Sequence, residues 1–156
     1  MTLEFRRFVP ADLFAIEVQP AQAWMTPSFD PCHADELATA GPCFTFARPC
    51  GLVVFIGGAV PFMEGAALAW SLISEAAGPH MLEITRRSRA FFGRLPVERI
   101  ECAVETGHAE GHRWARMLGF RRDLDFVTMW LGDRPHALYA RYGAGILQNN
   151  GKQSWA

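Results

Sequence analysis

The sequence predicts a single α/β domain, a central sheet flanked by helices, and three observations carry that prediction. Residues 52–60 and 66–74 are apolar at consecutive positions, the mark of strands covered on both faces. Residues 79–94 repeat at helical spacing, with Met81, Ile84, Ser88 and Phe91 on one stripe that continues to Leu95. Residues 100–120 pass from Ile100, Cys102 and Val104 through Thr106-Gly107 into a short helix closed by Leu118-Gly119-Phe120.

Each element follows in chain order. Residues 3–8 alternate as a first strand, and Pro10-Ala11-Asp12 opens a helix carrying Leu13, Phe14, Ile16 and Val18. The stretch 19–41, rich in Pro, Ala and Asp, is expected to hold one or two short helices, for example 34–39 behind a cap at His33 or Asp30. Residues 44–48 form a second strand and Pro49-Cys50-Gly51 a turn. The two apolar runs are strands three and four. In the helix over 79–94, Pro79 occupies the first turn, where a missing N–H costs nothing, and Glu83 precedes Arg87 in the favourable i,i+4 order. Residues 100–105 are the fifth strand and 108–118 the last helix, with Gly119 in the left-handed cap position. Residues 121–129 and 137–142 are closing strands. The domain is assigned to 1–142, and 143–156, small and polar with Trp155 isolated, to a flexible tail.

Composition narrows the function classes. A chain of 156 residues suits one domain burying about two-thirds of its unfolded surface. Half the residues are hydrophobic and 20% charged, which fits a packed core. A net charge of -1 exerts no long-range pull on nucleic acid. No basic start with a following apolar core is visible, so a cytoplasmic location is expected. The four cysteines make no C-x-x-C pair and read as reduced thiols, with Cys102 a buried small hydrophobe. From 51 to 74 the only charge is Glu64, a span long enough on paper to cross a bilayer. Gly57-Gly58, Pro61 and Glu64-Gly65 interrupt it, which suits two buried strands joined by a turn and argues against a membrane role.

Other constellations are weaker. Arg86, Arg87, Arg89 and Arg94 read as a solvated helix face, with a phosphate-binding patch as the alternative. His108-Ala109-Glu110-Gly111-His112 places two histidines on one helix face. The zinc-protease pattern, however, needs Glu directly after the first His, and here it is rotated away. No metal is assigned. No nucleophile elbow, Walker loop or dinucleotide fingerprint is present. Trp70 and Trp114 read as core, and Trp24, Trp130 and Trp155 as candidate interface anchors.

Strand, helix, helix, three strands, helix, strand, helix, strand, strand is an order that resembles the GNAT acetyltransferase superfamily. Residues 3–13 look like its opening and 114–120 like its closing LGF helix, and the resemblance covers about residues 3–142. It implies a mixed, largely antiparallel central sheet with helices on both faces. It also implies acyl-CoA N-acyltransferase activity, with acetyl passing from acetyl-CoA to a small-molecule or protein amine. More narrowly, Arg86-Arg87-Ser88-Arg89-Ala90-Phe91-Phe92, GHRWARMLGF and Leu138-Tyr139-Ala140-Arg141 are similar to small GNAT-like proteins of short-tailed bacteriophages. Some of those are internal virion proteins, which implies host cytoplasm or virion as the location and virion proteins as partners.

In GNAT enzymes the fourth strand ends in a Q/R-x-x-G-x-G/A loop whose N–H groups, with the following helix start, hold the CoA pyrophosphate. The matching residues here are Glu75-Ala76-Ala77-Gly78-Pro79-His80, of which only Gly78 conforms. Glu75 brings a negative charge, Pro79 deletes a donor, and His80 adds a side chain where close backbone approach favours Gly or Ala, although its ring can donate to phosphate. The resemblance assigns acetyl-CoA to Leu72, Ile73 and Ser74 along the strand, and to Gly78, His80 and Met81 at the pyrophosphate. The family's general-acid tyrosine is replaced by Ala115, and Tyr139 and Tyr142 are the available stand-ins. Glu75 and Glu105, at the ends of strands four and five, are the candidate bases for the amine proton. A second reading keeps the fold and drops the chemistry: a catalytically inactive, virion-associated or protein-binding module.

Overall fold

The computed structural model describes residues 2–123 and 129–143. Among the described residues there are eight strands: β1 (Glu4–Arg7), β2 (Cys43–Ala47), β3 (Val53–Met63), β4 (Ala66–Ile73), β5 (Arg99–Glu105), β6 (Arg121–Arg122), β7 (Met129–Leu131) and β8 (Arg134–Tyr142). The α-helices are α1 (Ala11–Ala15), α2 (Pro31–Ala40), α3 (Met81–Arg94) and α4 (Ala109–Met117), with 3-10 segments at Pro20–Ser28 and Glu75–His80. The hydrogen-bonded order is β1-β2-β3-β4-β5-β8-β6, and β7 pairs with β8. The pairs β1–β2, β2–β3, β5–β8, β6–β8 and β7–β8 are antiparallel, whereas β4–β5 is parallel over Ala66–Leu68 and Arg99–Glu101. The sheet is therefore mixed and largely antiparallel, as the sequence implied.

The described chain divides into two compact units. One takes the residues up to Val60 with Ala69–Ile84, the other Pro61–Leu68 with the described residues from Thr85 on. In the first, Phe8, Leu13, Ile16, Ala34, Val53, Ile56 and Leu72 form the buried cluster, with Trp70, Met25 and Phe29 packed against it. Asp12 is buried there too, because the Arg6 guanidinium and the Thr45 hydroxyl both donate to its carboxylate. In the second, Phe92, Ile100, Ala115, Leu118, Phe120 and Tyr139 are buried, and the Phe92 and Phe120 rings meet edge to face at 5.4 Å.

Several expectations need correction. The first helix stops at Ala15, leaving Ile16 extended and Val18 bridged to Ser74. β-branched Ile16 and Val18 ahead of Pro20 favour extended backbone, and pairing with β4 supplies the hydrogen bonds the helix would have made. The second helix starts at Pro31, because Asp30 is its cap and accepts from the His33 N–H at 2.7 Å. β3 runs through Gly57-Gly58 and Pro61 to Met63, and only Glu64-Gly65 turns the chain, with Gly65 at φ 74°. β4 is not covered on both faces: Leu68 is exposed and Ala69, Trp70 and Ser71 are half-buried. The helix predicted from Pro79 begins as α3 at Met81, Pro79 lying in the 3-10 segment before it. β8 starts at Arg134, earlier than expected. Of the strand expected at 121–129, Arg121–Arg122 and Met129 are strand; residues 124–128, the tail from 144 on, and the side chains of Trp130 and Trp155 lie outside the described residues. Among the described residues, no helix is long and apolar enough to cross a membrane.

Candidate functional site

The site begins at the C-terminal end of β4, where alternation sorts backbone groups onto two edges. The Ser74 N–H donates to the Val54 carbonyl at 3.0 Å, so that residue's amide faces β3. Ser71 and Ile73 therefore direct their N–H and C=O groups to the opposite edge. That edge is already engaged. The Gln22 side-chain amide donates through Nε2 to the Ser71 carbonyl at 2.8 Å and accepts through Oε1 from the Ile73 N–H at 2.9 Å. The Gln19 N–H donates to the Ile73 carbonyl at 2.7 Å.

The following turn is largely self-satisfied. Ser74 Oγ accepts from the Ala76 N–H at 3.2 Å and its carbonyl from the Ala77 N–H at 3.0 Å, and the Gly78 carbonyl accepts from the Met81 N–H. Pro79 lacks an N–H, so the Ala76, Ala77, Pro79 and Met81 positions offer no spare backbone donor to an anion. Gly78 is exposed, and a Cβ built on it would meet nothing within 4 Å, so the turn keeps an open face. Arg48, at the end of β2, donates through Nη2 to the Ala76 carbonyl at 3.3 Å, while its buried Nε has no hydrogen-bond partner. This guanidinium sets a positive charge against the turn whose first residue is Glu75. Sequence reasoning missed Arg48 and Gln22, since neither lies in a motif.

Leu72, Ile73, Ser74, Glu75, Gly78, His80 and Met81 thus fall along one strand-turn-helix connection. The Leu72 side chain belongs to the buried cluster, Ser74 is buried, Ile73, His80 and Met81 are half-buried, and Glu75 is exposed.

Glu105 lies in the other unit, at the end of β5. Its Oε1 accepts from Arg134 Nη1 at 2.8 Å, so the carboxylate is held in an ion pair. Beside it the Thr106 N–H and hydroxyl both donate to the Pro135 carbonyl, at 2.9 and 3.0 Å. His112, in the first turns of α4, has Nε2 3.0 Å from the Thr106 carbonyl and Nδ1 2.8 Å from the Tyr139 hydroxyl. A carbonyl only accepts, so Nε2 carries the proton and Nδ1 accepts from tyrosine. Tyr139 is fully buried with its proton directed at His112, and the Tyr142 hydroxyl is bonded to Arg99. Neither stand-in tyrosine offers an uncommitted acid. Ala115, at the family's tyrosine position, is buried, and the Trp114 indole N–H donates to Thr85 Oγ1 at 2.9 Å. Burial pushes the Cys102 thiol up to about 12, which keeps it protonated and unreactive.

With both ring nitrogens of His112 engaged and the His108 ring packed on Gly111, the helix-face histidines hold structure together. Among the described residues, no group of three or more His, Cys, Asp or Glu is placed to hold a metal ion.

No protein-family model matches the sequence, and no curated protein matches it. Solved structures do. A GNAT superfamily phosphinothricin acetyltransferase from Sinorhizobium meliloti, solved with acetyl-CoA, matches with a TM-score of 0.66 at 17% identity, over 93% of this chain and 92% of that one. A spermidine N-acetyltransferase chimera built in part from the Vibrio cholerae enzyme gives 0.66 at 14%, over 94% and 99%. A GNAT family acetyltransferase from Bacillus anthracis gives 0.64 at 13%, over 91% and 95%. The fold is that of the GNAT acetyltransferases. Residues 72–81, to which the resemblance read in the sequence assigned CoA, form one strand-turn-helix connection in this fold. What that segment holds here is a question for the residues themselves, since likeness at this identity speaks for architecture alone.

Proposed function

We propose that this chain is an acyl-CoA N-acyltransferase that moves acetyl from acetyl-CoA to an amine. The observation that carries the reading is the unbroken run from Leu72 to Met81 within a GNAT fold. It comprises a strand end, a turn left open at Gly78, and the start of a 14-residue helix. Acetyl-CoA, when bound, supplies an activated thioester carbonyl. Ile73 and Ser74 would lie along its chain, and Gly78, His80 and Met81 beside its pyrophosphate. The Arg48 guanidinium, bonded to the Ala76 carbonyl, brings a positive charge to the turn that carries Glu75. Glu75, exposed at the turn, is the better placed base for the amine proton, because the Glu105 carboxylate is tied to Arg134.

A second reading is favoured by one specific observation. The Ala76, Ala77 and Met81 N–H groups, which an open loop could turn to a ligand, are here bonded to Ser74 and Gly78, as in a turn kept for its shape. In that case the chain is an inactive GNAT-fold module of phage type that associates with virion proteins.

Calorimetric titration with acetyl-CoA and with CoA separates the two. Saturable micromolar binding that Gly78→Asp lowers at least tenfold, through a carboxylate placed against phosphate, supports the transferase. Glu75→Gln should then slow acetyl transfer by roughly 10²-fold or more with binding kept, as loss of a general base does. No binding at millimolar ligand refutes the transferase and leaves the module.

A further inference from the structure

The segment Val18–Gln22 treats β4 as a strand treats its neighbour, but does so with a side chain. Its Gln22 amide presents one donor and one acceptor to Ser71 and Ile73, at 2.8 and 2.9 Å, copying the way a peptide group would dock there. The Gln19 N–H on the Ile73 carbonyl and the Val18–Ser74 bridge complete the mimicry. A strand edge with unpaired N–H and C=O groups is costly to leave bare, so something must cover it. What covers it here is held at its far end by Met25, which packs against the buried cluster, and at the edge itself by these few hydrogen bonds. The 3-10 segment Pro20–Ser28 that carries Gln22 has no fully buried residue and no side-chain cap.

We propose that Val18–Gln22 is an intramolecular strap that occupies the ligand-binding edge of β4 in the absence of acyl-CoA and gives it up on binding. The inference rests on the transferase reading, which places the acyl-CoA chain along Ile73 and Ser74. An amide-bearing linear ligand on that edge needs the Ser71 carbonyl and the Ile73 N–H and C=O, which are the three groups the strap holds. Strap and ligand cannot bond to them together. Gln22 is therefore a positioning residue of the free protein: it presets the edge as an amide reader and competes with what the edge reads. Apparent affinity for the ligand is reduced by the fraction of molecules in which the strap is seated.

Two variants loosen the strap by different routes. Gln22→Ala removes both side-chain bonds to β4, along with the 3.4 Å bond that its Oε1 accepts from Gln19 Nε2. Gln19→Pro removes the N–H donor at a residue whose φ of -59° proline already satisfies. Titrating wild type and both variants with acetyl-CoA should show tightening of about five- to tenfold in each variant, the equilibrium worth of a hydrogen bond or two. Amide hydrogen exchange reads the strap without reference to activity. The Ile73 N–H should exchange faster in free Gln22→Ala than in free wild type. In wild type, acetyl-CoA should keep Ile73 protected while the Gln19 N–H, having lost its acceptor, becomes more exchangeable. Equal or weaker binding by both variants, with wild type still binding, overturns the strap and leaves the transferase standing. No binding by any of the three proteins overturns the transferase reading and the strap with it.

Discussion

Asp12 is the residue whose removal should be felt most, and the size of the effect follows from its partners. Arg6 grips the carboxylate through both terminal nitrogens at 2.8 and 2.7 Å. The Thr45 hydroxyl donates to it at 2.8 Å and the Val9 N–H at 3.1 Å. These bonds tie β1, the start of α1 and β2 together. In Asp12→Ala the Thr45 hydroxyl, which is fully buried, and the Val9 N–H lose their acceptor. An orphaned buried donor costs ~1–3 kcal/mol. Arg6, with about a third of its side chain exposed, can turn to water, so its share is discounted. The expected loss is ~3 kcal/mol, below the full cost of breaking a deeply buried ion pair. For a chain of this length that lowers Tm by about 6–12 °C. A chemical denaturation series with a loss below ~1 kcal/mol would refute the reasoning, because it would mean that these donors find other partners.

The same group predicts a pH signature. Burial pushes the Asp12 carboxyl up, but the bonds from Arg6, Val9 and Thr45 outweigh it and hold it below the usual carboxylate range. A carboxyl depressed in the folded state stabilises the fold above its unfolded value, near pH ~4, and that contribution fades as pH falls through the lowered folded value. Melting wild type and Asp12→Asn from pH 7 to 2.5 should show a flatter acid limb in the variant.

Three further outcomes are expected. Gly111→Ala should destabilise by ~1–3 kcal/mol despite the ~1 kcal/mol that alanine normally gains in a helix, since its Cβ would lie 2.4 Å from His108 Cδ2 and 2.9 Å from Val104 Cγ1; thermal melts decide the sign. Tyr139→Phe should cost ~1–2 kcal/mol by leaving His112 Nδ1 without its donor, and a lowered denaturant midpoint with unchanged slope is the check. Alkylation at pH 8 followed by mass spectrometry should find exposed Cys50 modified first. Cys32 should lag, its thiol pushed up by the neighbouring Glu36 carboxylate, and Cys102 should come last because burial protects it.

The sequence made the architecture legible wherever a local signal and the tertiary demand agreed. The α3 stripe holds in part: Ile84 and Ser88 are buried, Met81, Phe91 and Leu95 are half-buried, and the buried ring is Phe92; Gly119 takes the left-handed cap at φ 91°. The reading failed where long-range pairing decided. Ile16 and Val18 are spaced as a helix would have them, yet Val18 pairs with Ser74, far along the chain. β4 looks fully apolar but leaves Leu68 exposed, because composition does not report which neighbours a strand meets. For the candidate site, the motif drew attention to residues 72–81, and the strand-turn-helix order expected there is present, since turn chemistry is local. It gave no hint of Gln22 on Ser71 and Ile73, of Arg48 under Ala76, or of His112 between Thr106 and Tyr139. Each of these joins residues with no shared periodicity. The only local hint was that Thr106 and Gly107 break the strand beside a histidine-bearing turn.

The Gly57-Gly58 step in the middle of β3 has a consequence for how this sequence can drift. Phe44 pairs across from Gly57 and its ring, 5.8 Å from that of Phe55, lies over the bare backbone. A Cβ at Gly57 would come within 2.8 Å of the Phe55 ring, and one at Gly58 within 2.7 Å of Cys43 Cβ and 2.8 Å of the Pro42 carbonyl. The two positions are therefore closed to single substitutions. Replacing either requires a simultaneous trim of an aromatic ring or of the neighbouring strand's backbone path. In a saturation library they should stand out as an intolerant pair, each tolerating a side chain only together with a change at its own neighbour, Phe55 or Phe44 for Gly57 and Cys43 or Pro42 for Gly58.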